Sequence, residues 1–217
     1  MINTYKAGTR PSPLALKQVE EVQKRLPSIS LEKVVIHTRG DMDKVSSLWN
    51  EQETDFFTRE IESALLDKSI DIAIHSAKDL ETDMPEGLVI AAITSSLSPF
   101  ECLVSRDNRS LRNLRSGAIV GTSSSKRKVA LTGFRPDLIV KDIRGNIDER
   151  LAQLDSGKFD AIIVAHAALI RLNLEYRITE IIPKEIMEAH PLQGRLAVQI
   201  RSDRQDLLNI FRGINEN

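Results

Sequence analysis

Short apolar runs rich in β-branched residues alternate with amphipathic helical patterns along most of the 217-residue chain. The runs "LEKVVIHT", "SIDIAIHS", "LIVKDI" and "DAIIVAH" are typical of strands, whereas Ala15, Val19, Val22 and Leu26 recur on one face of a helix. This alternation predicts an α/β fold with largely parallel sheets. The pattern starts again after Pro99, which indicates a second lobe.

The C-terminal segment "RLAVQIRSDRQDLLNIFRGI" predicts one more strand and one more helix. The pattern alone leaves open whether this pair closes the second lobe or returns to the first. Helix starts are better defined, because Ser12 precedes a proline, and Ser123 and Ser124 can cap a helix that begins near Lys126.

The overall charge is balanced, with 30 Lys and Arg against 31 Asp and Glu and a net charge of -1. A general nucleic-acid or membrane-surface binder is usually more basic, so neither partner is expected. No apolar run reaches the ~20 residues that span a bilayer, and the N-terminus lacks an apolar signal region. The single cysteine excludes an internal disulfide. We therefore expect a cytoplasmic protein.

Positive charge is concentrated locally, because residues 121–151 hold seven Lys or Arg against four Asp or Glu. Several of these cations follow predicted strands, where open α/β sheets bind ligands and helix N-termini favour anions. A cleft between two such lobes would suit a ligand with several carboxylates or phosphates. The alternative is that the cations form a solvated face.

Asp79 is an acid among the cations at the predicted strand ends. Beside Lys78 it should stay ionised, and a carboxylate there could stabilise a cation formed during a reaction. The alternative is a surface or capping aspartate. The cations expected to line the cleft are Arg10, Lys78, Lys126, Arg127, Arg144 and Arg150.

The histidines show no metal-ligand spacing, so no metal site is predicted. His75 ends an apolar strand and is interpreted as a hydrogen-bonded structural residue. Cys102 lies in the apolar run "ECLVS" and is interpreted as a buried, unreactive thiol. Neither a Walker A motif nor GxGxxG occurs, so nothing favours ATP or NAD binding.

Eight motifs in order resemble the porphobilinogen deaminase (hydroxymethylbilane synthase) family over nearly the whole chain. They are "AGTRPSPLAL", "TRGD", "DIAIHSAKDL" with "PEGL", "VGTSSSKRK", "RPDLIV", "IRGNIDERL", "LDSGKFDAIIVA" and "QGRLAV". The resemblance implies two periplasmic-binding-protein-like α/β lobes with a cleft at the carboxyl ends of the strands. Lobe 1 would comprise residues 1–95 and about 195–217, and lobe 2 residues 96–194, so the C-terminal segment would return to lobe 1.

The resemblance also implies a transferase of tetrapyrrole and heme biosynthesis. Such an enzyme joins four porphobilinogen units into linear hydroxymethylbilane and releases ammonia at each step. Asp79 would be catalytic, binding pyrrole N–H groups and stabilising an azafulvene-like cation. The residues implied to hold cofactor and substrate carboxylates are Arg10, Ser12, Lys78, Thr122, Ser124, Lys126, Arg127, Arg144, Arg150 and Arg171.

The implied cofactor is dipyrromethane, which the family attaches to a cysteine in a third domain after the segment that matches "QGRLAVQIR". The sequence ends at Asn217, so we expect that domain to be absent, and Cys102 matches no attachment cysteine. Lys126 replaces the first arginine of a family pair, which keeps the charge but loses the bidentate fork. We expect a monomer that uses porphobilinogen. A non-catalytic two-lobed pyrrole or anion binder remains the alternative.

Overall fold

The computed structural model describes residues 2–43, 56–80 and 84–216. Within these ranges the chain forms two compact units, which we describe separately. Lobe 1 contains residues 2–43, 56–80, 84–97 and 194–216, and lobe 2 contains residues 98–193. The C-terminal segment therefore packs with the N-terminal part of the chain.

Lobe 1 is built on a five-stranded sheet with the strand order β2-β1-β3-β10-β4. Strand β1 pairs in parallel with β2 and β3, whereas β10 runs antiparallel to both of its neighbours. The carboxyl ends of β1, β2 and β3 therefore meet at one edge. The elements are β1 (Asn3–Thr9), α1 (Pro13–Arg25), β2 (Ile29–Val35), α2 (Arg39–Met42), α3 (Arg59–Leu66), β3 (Ile72–Ser76), β4 (Leu88–Ile93), β10 (Leu196–Arg201) and α7 (Gln205–Phe211).

Lobe 2 repeats this arrangement in a sheet with the order β7-β6-β8-β5-β9. Strand β6 pairs in parallel with β7 and β8, and β5 is the reversed strand between β8 and β9. The predicted largely parallel sheets are therefore present, each with one reversed strand. The elements are β5 (Glu101–Ser105), β6 (Ile119–Gly121), α4 (Ser125–Phe134), β7 (Ile139–Lys141), α5 (Ile147–Asp155), β8 (Ala161–Ala165), α6 (His166–Arg171) and β9 (Glu180–Ile182).

Each sheet buries apolar side chains in two separate clusters. In lobe 1, Val22 of α1 and Phe211 of α7 belong to one cluster, and Leu65 of α3 belongs to the other. In lobe 2, Leu131 of α4 and Leu154 of α5 belong to different clusters. Burial of apolar area in these clusters is the main favourable contribution to folding.

Local sequence explains where the helices next to the strand ends begin. Ser12 caps α1 by accepting a hydrogen bond from the Ala15 amide at 3.2 Å, with proline at the first helical position. Ser124 caps α4, and Asn146 caps α5. The helix starts predicted at Ser12 and Ser124 are therefore confirmed. Among the described helices, none is long and apolar enough to cross a membrane.

Candidate active site

The loops after β1 and β3 bring three predicted site residues of lobe 1 together. These neighbouring strands are parallel, so their carboxyl ends lie side by side. A pocket of about 40 Å³ opens there, which we call the lobe 1 pocket. It is lined by Arg10, Ser12, Ala15, Gln18, Phe57, Thr58, Ile74, His75, Ser76 and Asp79. The structure thus places the predicted catalytic Asp79 beside two predicted ligand-binding side chains.

Arg10 is held in place by its own chain. Its Nε donates to Asp41 Oδ1 at 3.0 Å, and its guanidinium lies 4.1 Å from the centre of the Phe57 ring. Burial opposes ionisation of Asp41, but hydrogen bonds and charge from Arg10, together with donors from Thr38, outweigh it and lower the pKa of Asp41. The ion pair therefore stays formed and fixes the direction of the Arg10 fork.

The short helix α2 explains the motif "TRGD". Thr38 and Asp41 form a capping box in which the Thr38 amide donates to Asp41 at 3.1 Å. A Cβ on Gly40 would lie 2.1 Å from the Phe57 ring, so a larger residue does not fit there. Asp41 and Phe57 are functional neighbours of Arg10 that our sequence analysis missed. The T-x-x-D capping pattern was the available signal for Asp41.

Asp79 lies in a single 3-10 turn, Ala77–Asp79, directly after β3. Its carboxylate forms no hydrogen bond or ion pair with another described residue. Lys78 is half-buried in the same turn. A carboxylate that has no partner among the described residues can accept hydrogen bonds from a ligand's N–H groups or stabilise a positive charge.

His75 belongs to a buried polar chain that ends at the lobe 1 pocket. Its Nε2 lies 3.1 Å from Gln199 Oε1 on β10, and Gln199 Nε2 donates to Glu62 of α3 at 2.8 Å. Burial lowers the pKa of His75 to about 4, the Gln199 hydrogen bond opposes this change, and the charge of Arg10 adds to it. His75 is therefore neutral near pH 7, and it is hydrogen-bonded as the sequence interpretation required.

The predicted residues of lobe 2 surround the starts of two helices. Thr122 is buried after β6, and its hydroxyl accepts from the Ser124 amide at 3.2 Å. Ser124 caps α4 by accepting from the Arg127 amide, and Lys126 is exposed in the first turn. This helix start combines hydroxyls, a positive dipole end and a cation, which suits an anionic group.

Arg127 differs from the free fork that the sequence predicted. Its Nε and Nη2 donate to the two carboxylate oxygens of Glu101 at 2.9 and 2.7 Å, and its Nη1 donates to the Ile163 carbonyl. Both side chains are largely buried, with 11% and 6% of their area exposed. In the structure Arg127 therefore binds a carboxylate of its own chain, and a ligand carboxylate that reaches this fork has to displace Glu101.

Arg144 lies in the turn between β7 and α5, and Arg150 lies in the first part of α5; both are half-buried. Arg150 Nε donates to the Gly145 carbonyl at 2.8 Å, which ties its side chain to the turn. Gly145 has φ +105°, and a Cβ there would also lie 2.8 Å from the capping residue Glu149. The "RGN" motif thus needs glycine to bring the arginine next to the start of α5.

Two further residues of lobe 2 that the sequence analysis singled out are Arg171 and Cys102. Arg171 is the last residue of α6 and lies one helix beyond the end of β8, unlike the other predicted residues. Cys102 is completely buried in β5, and burial, with a contribution from Glu101, raises the pKa of its thiol to about 12. No group of His, Cys, Asp or Glu among the described residues could hold a metal ion.

Comparison with solved structures supports the two-lobed fold. The extracellular-binding protein ytmK of a probable amino-acid ABC transporter from Bacillus subtilis superposes with a TM-score of 0.56 at 15% identity, covering 98% of this chain and 90% of that one. A putative methionine-binding lipoprotein from the same organism gives a TM-score of 0.56 at 14% identity, covering 99% and 91%. At such identities the similarity establishes the periplasmic-binding-protein-like fold alone.

Sequence comparison is more specific. The family model "Porphobilinogen deaminase, dipyromethane cofactor binding domain" matches residues 5–209. The porphobilinogen deaminase of Deinococcus radiodurans is 43% identical over 99% of this chain and 72% of its own length. That of Legionella pneumophila strain Lens is 40% identical over 96% and 69%, and that of Dichelobacter nodosus is 43% identical over 96% and 70%. The chain therefore belongs to the porphobilinogen deaminase family.

Proposed function

We propose that this chain polymerises four porphobilinogen units into linear hydroxymethylbilane with loss of ammonia, as a transferase of tetrapyrrole biosynthesis. The observation that carries the proposal is the lobe 1 pocket, which is lined by a fixed arginine fork, Arg10, and by Asp79, whose carboxylate has no partner among the described residues. A site that only binds polyanions gains nothing from a carboxylate. A site that forms a cation on an anionic substrate needs both groups.

The chemistry assigned to Asp79 follows from its position. When the aminomethyl C–N bond of porphobilinogen breaks, the electron pair leaves with nitrogen and the pyrrole becomes a cation. A carboxylate held close to the ring nitrogen stabilises that charge and accepts the pyrrole N–H. Because Asp79 has no ion-pair partner among the described residues, its negative charge is available for this role.

The arginines and hydroxyls hold the acetate and propionate groups. Arginine suits carboxylates through paired hydrogen bonds, and capped helix starts add amide donors. In lobe 1 we assign this role to Arg10, Ser12 and Lys78. In lobe 2 we assign it to Thr122, Ser124, Lys126, Arg144, Arg150 and Arg171, and to Arg127 with the condition that a ligand displaces Glu101.

The donor set also fits the dipyrromethane that names the matching family domain. Its four carboxylates suit the cations and hydroxyls at the starts of α4 and α5, and its pyrrole N–H groups suit Asp79. When bound, dipyrromethane supplies the pyrrole carbon to which the first substrate unit is joined. We propose that residues 1–95 with 195–217 form one lobe and residues 96–194 the other, in a cytoplasmic monomer.

The test is to incubate the purified chain with porphobilinogen, oxidise the product and measure porphyrin absorbance. We expect porphyrin from the wild-type chain and far less from Asp79→Asn. Calorimetric titration of both proteins with porphobilinogen is run in parallel. Binding of porphobilinogen without porphyrin formation would support the non-catalytic binder instead.

A further inference from the structure

The buried chain of Glu62, Gln199 and His75 determines which imidazole nitrogen carries the proton. The carboxylate of Glu62 only accepts hydrogen bonds, so the Gln199 amide must direct its NH₂ group toward it. The amide oxygen of Gln199 then faces His75, and this oxygen can only accept. Nε2 of His75 must therefore carry the hydrogen, and Nδ1 of the neutral ring is left with a lone pair.

His75 borders the lobe 1 pocket, and Nδ1 is the ring nitrogen that Gln199 does not occupy. Within the described ranges, Nδ1 accepts no hydrogen bond. Nδ1 is also absent from the set of buried side-chain atoms that lack both a partner and contact with solvent. His75 is only 5% exposed, and the opening that it borders is the pocket shared with Asp79 and Ser76. The Ser76 hydroxyl accepts from Gln18 Nε2 at 2.8 Å and keeps a second lone pair. One end of the pocket is thus rich in acceptors.

The size of the pocket restricts what it can receive. About 40 Å³ is open to the centres of water-sized groups, and about 10–15 Å³ measured in this way holds one water molecule, so the pocket admits a small polar group. The head of an aminomethyl group is of this size. Arg10 also borders the pocket, and its ion pair with Asp41 offsets part of its positive charge. A small cationic N–H donor therefore fits both the volume and the acceptors.

We propose that Nδ1 of His75, together with the Asp79 carboxylate, binds the aminomethyl ammonium group of porphobilinogen. This inference rests on the proposed function and adds a binding residue to the same site. The ammonium donates one hydrogen to Nδ1 and one to Asp79, and no proton is transferred to the imidazole. On C–N cleavage the bonding electrons leave with nitrogen, which departs as neutral NH₃ from the substrate's own –NH₃⁺ group, and the positive charge moves to the pyrrole.

The tautomer can be tested on the wild-type chain without any ligand. ¹⁵N NMR of labelled protein near pH 7 should show a protonated Nε2 and an unprotonated Nδ1 for His75. The spectrum of His75→Gln identifies which of the four histidine spin systems belongs to this residue. A protonated Nδ1 would overturn the proposal, whatever the activity of the chain.

The ligand assignment is tested with two compounds and two variants. The compounds are porphobilinogen and an analogue, the same pyrrole dicarboxylate with hydrogen in place of the aminomethyl group. Their affinities are measured by calorimetric titration at low temperature, which slows turnover. His75→Gln keeps an amide that reaches Gln199 but has no acceptor at the Nδ1 position. We expect it to bind porphobilinogen about tenfold more weakly, with the affinity for the analogue within about twofold of wild type. His75→Asn places an amide oxygen near the Nδ1 position and should restore much of the difference.

The outcomes separate the two proposals. If the wild-type chain forms porphyrin but His75→Gln lowers the affinity for both compounds equally, the His75 assignment is wrong and the proposed function stands. If wild-type chain neither binds nor converts porphobilinogen, both fail. Circular dichroism confirms that the variants are folded. If neither folds, the NMR experiment on the wild-type chain decides whether Nδ1 is available.

Discussion

Asp79 and Arg10 border the same pocket but are held differently. Arg10 is fixed by Asp41 and by the Phe57 ring, whereas Asp79 has no hydrogen-bond or ion-pair partner among the described residues. In the proposed function, Arg10 positions a substrate carboxylate and the carboxylate of Asp79 acts on the reacting group. At the scale of single residues, the site therefore separates binding from charge stabilisation.

Replacing Asp79 by asparagine tests the charge-stabilising role. The amide keeps the size and one acceptor but removes the negative charge, so turnover should fall by at least ~10²-fold, the effect of losing one preorganised electrostatic group. Affinity for carboxylated pyrroles should change far less. Initial rates of porphyrin formation measure the first quantity and calorimetry the second. Wild-type turnover in Asp79→Asn would exclude the role.

Arg144→Ala tests whether the arginine after β7 binds a ligand carboxylate. Loss of a charge-assisted hydrogen bond should weaken the binding of porphobilinogen or its oligomers by about 1.5–3 kcal/mol. The matched control is Arg109→Ala in the same lobe. Arg109 is exposed and follows the reversed strand β5, so it lies at the opposite edge of the sheet. Small and equal losses in both variants would favour a solvated cationic face.

At the scale of elements, the pair of Glu101 and Arg127 joins the start of β5 to the first turn of α4. The two groups are 26 residues apart and form a bidentate pair with little exposure to solvent. A buried charge without its partner is costly, so each group depends on the other. The pair holds the helix start that presents Ser124 and Lys126.

We expect Glu101→Gln to lower the free energy of unfolding by about 3 kcal/mol, because Arg127 is left buried without a counter-charge. The control is Glu20→Gln, which breaks surface ion pairs with Lys17 and Lys33 and should cost about 1 kcal/mol. Urea denaturation followed by circular dichroism measures both variants. If Glu101→Gln is no less stable than Glu20→Gln, Arg127 does not depend on Glu101 and its fork is open to ligands.

The environment of Cys102 in β5 makes it an unsuitable attachment point for a primer. Its neighbours on both sides are Val164 of β8 and Ile181 of β9, and its thiol pKa is raised to about 12 by burial first and by Glu101 second. Thioether formation needs an accessible thiolate.

We expect intact-protein mass spectrometry under denaturing conditions to show no dipyrromethane on this chain, and Cys102→Ser to retain activity. An added dipyrromethane mass that disappears in Cys102→Ser would contradict this.

At the scale of the whole molecule, His75 links the site to the pH dependence of stability. Its pKa is about 4 in the folded chain, from burial first, against 6.5 for the ordinary side chain. Between these values the unfolded chain binds a proton that the folded chain does not, so stability falls as the pH decreases through this window. The carboxylates with lowered pKa values, such as Asp41, lose their contribution at lower pH.

The expected loss from His75 between about pH 7 and about pH 4.5 is about 2 kcal/mol in the free energy of unfolding. Urea denaturation across this range measures it. His75→Gln cannot take up the proton, so its stability should change much less over the same range. A wild-type curve as flat as that of the variant would show that His75 does not titrate in this window.

Local sequence determined much of this protein, because caps and periodicity act over a few residues. Ser12 and Ser124 indicated their helices, the apolar run around Cys102 indicated a strand, and polar residues after strands indicated the site. The motifs likewise identified the family without any structure.

Only the tertiary structure decided which distant groups became partners. Arg10 meets Asp41 across 31 positions, Arg127 meets Glu101 across 26, and His75 meets Gln199 across 124. The last contact exists because β10 returns to pair with β3. Periodicity reports which face of an element is apolar and says nothing about which strand lies beside it. Strand order therefore decided that Arg127 is internally paired and that His75, which borders the pocket, is bonded to Gln199.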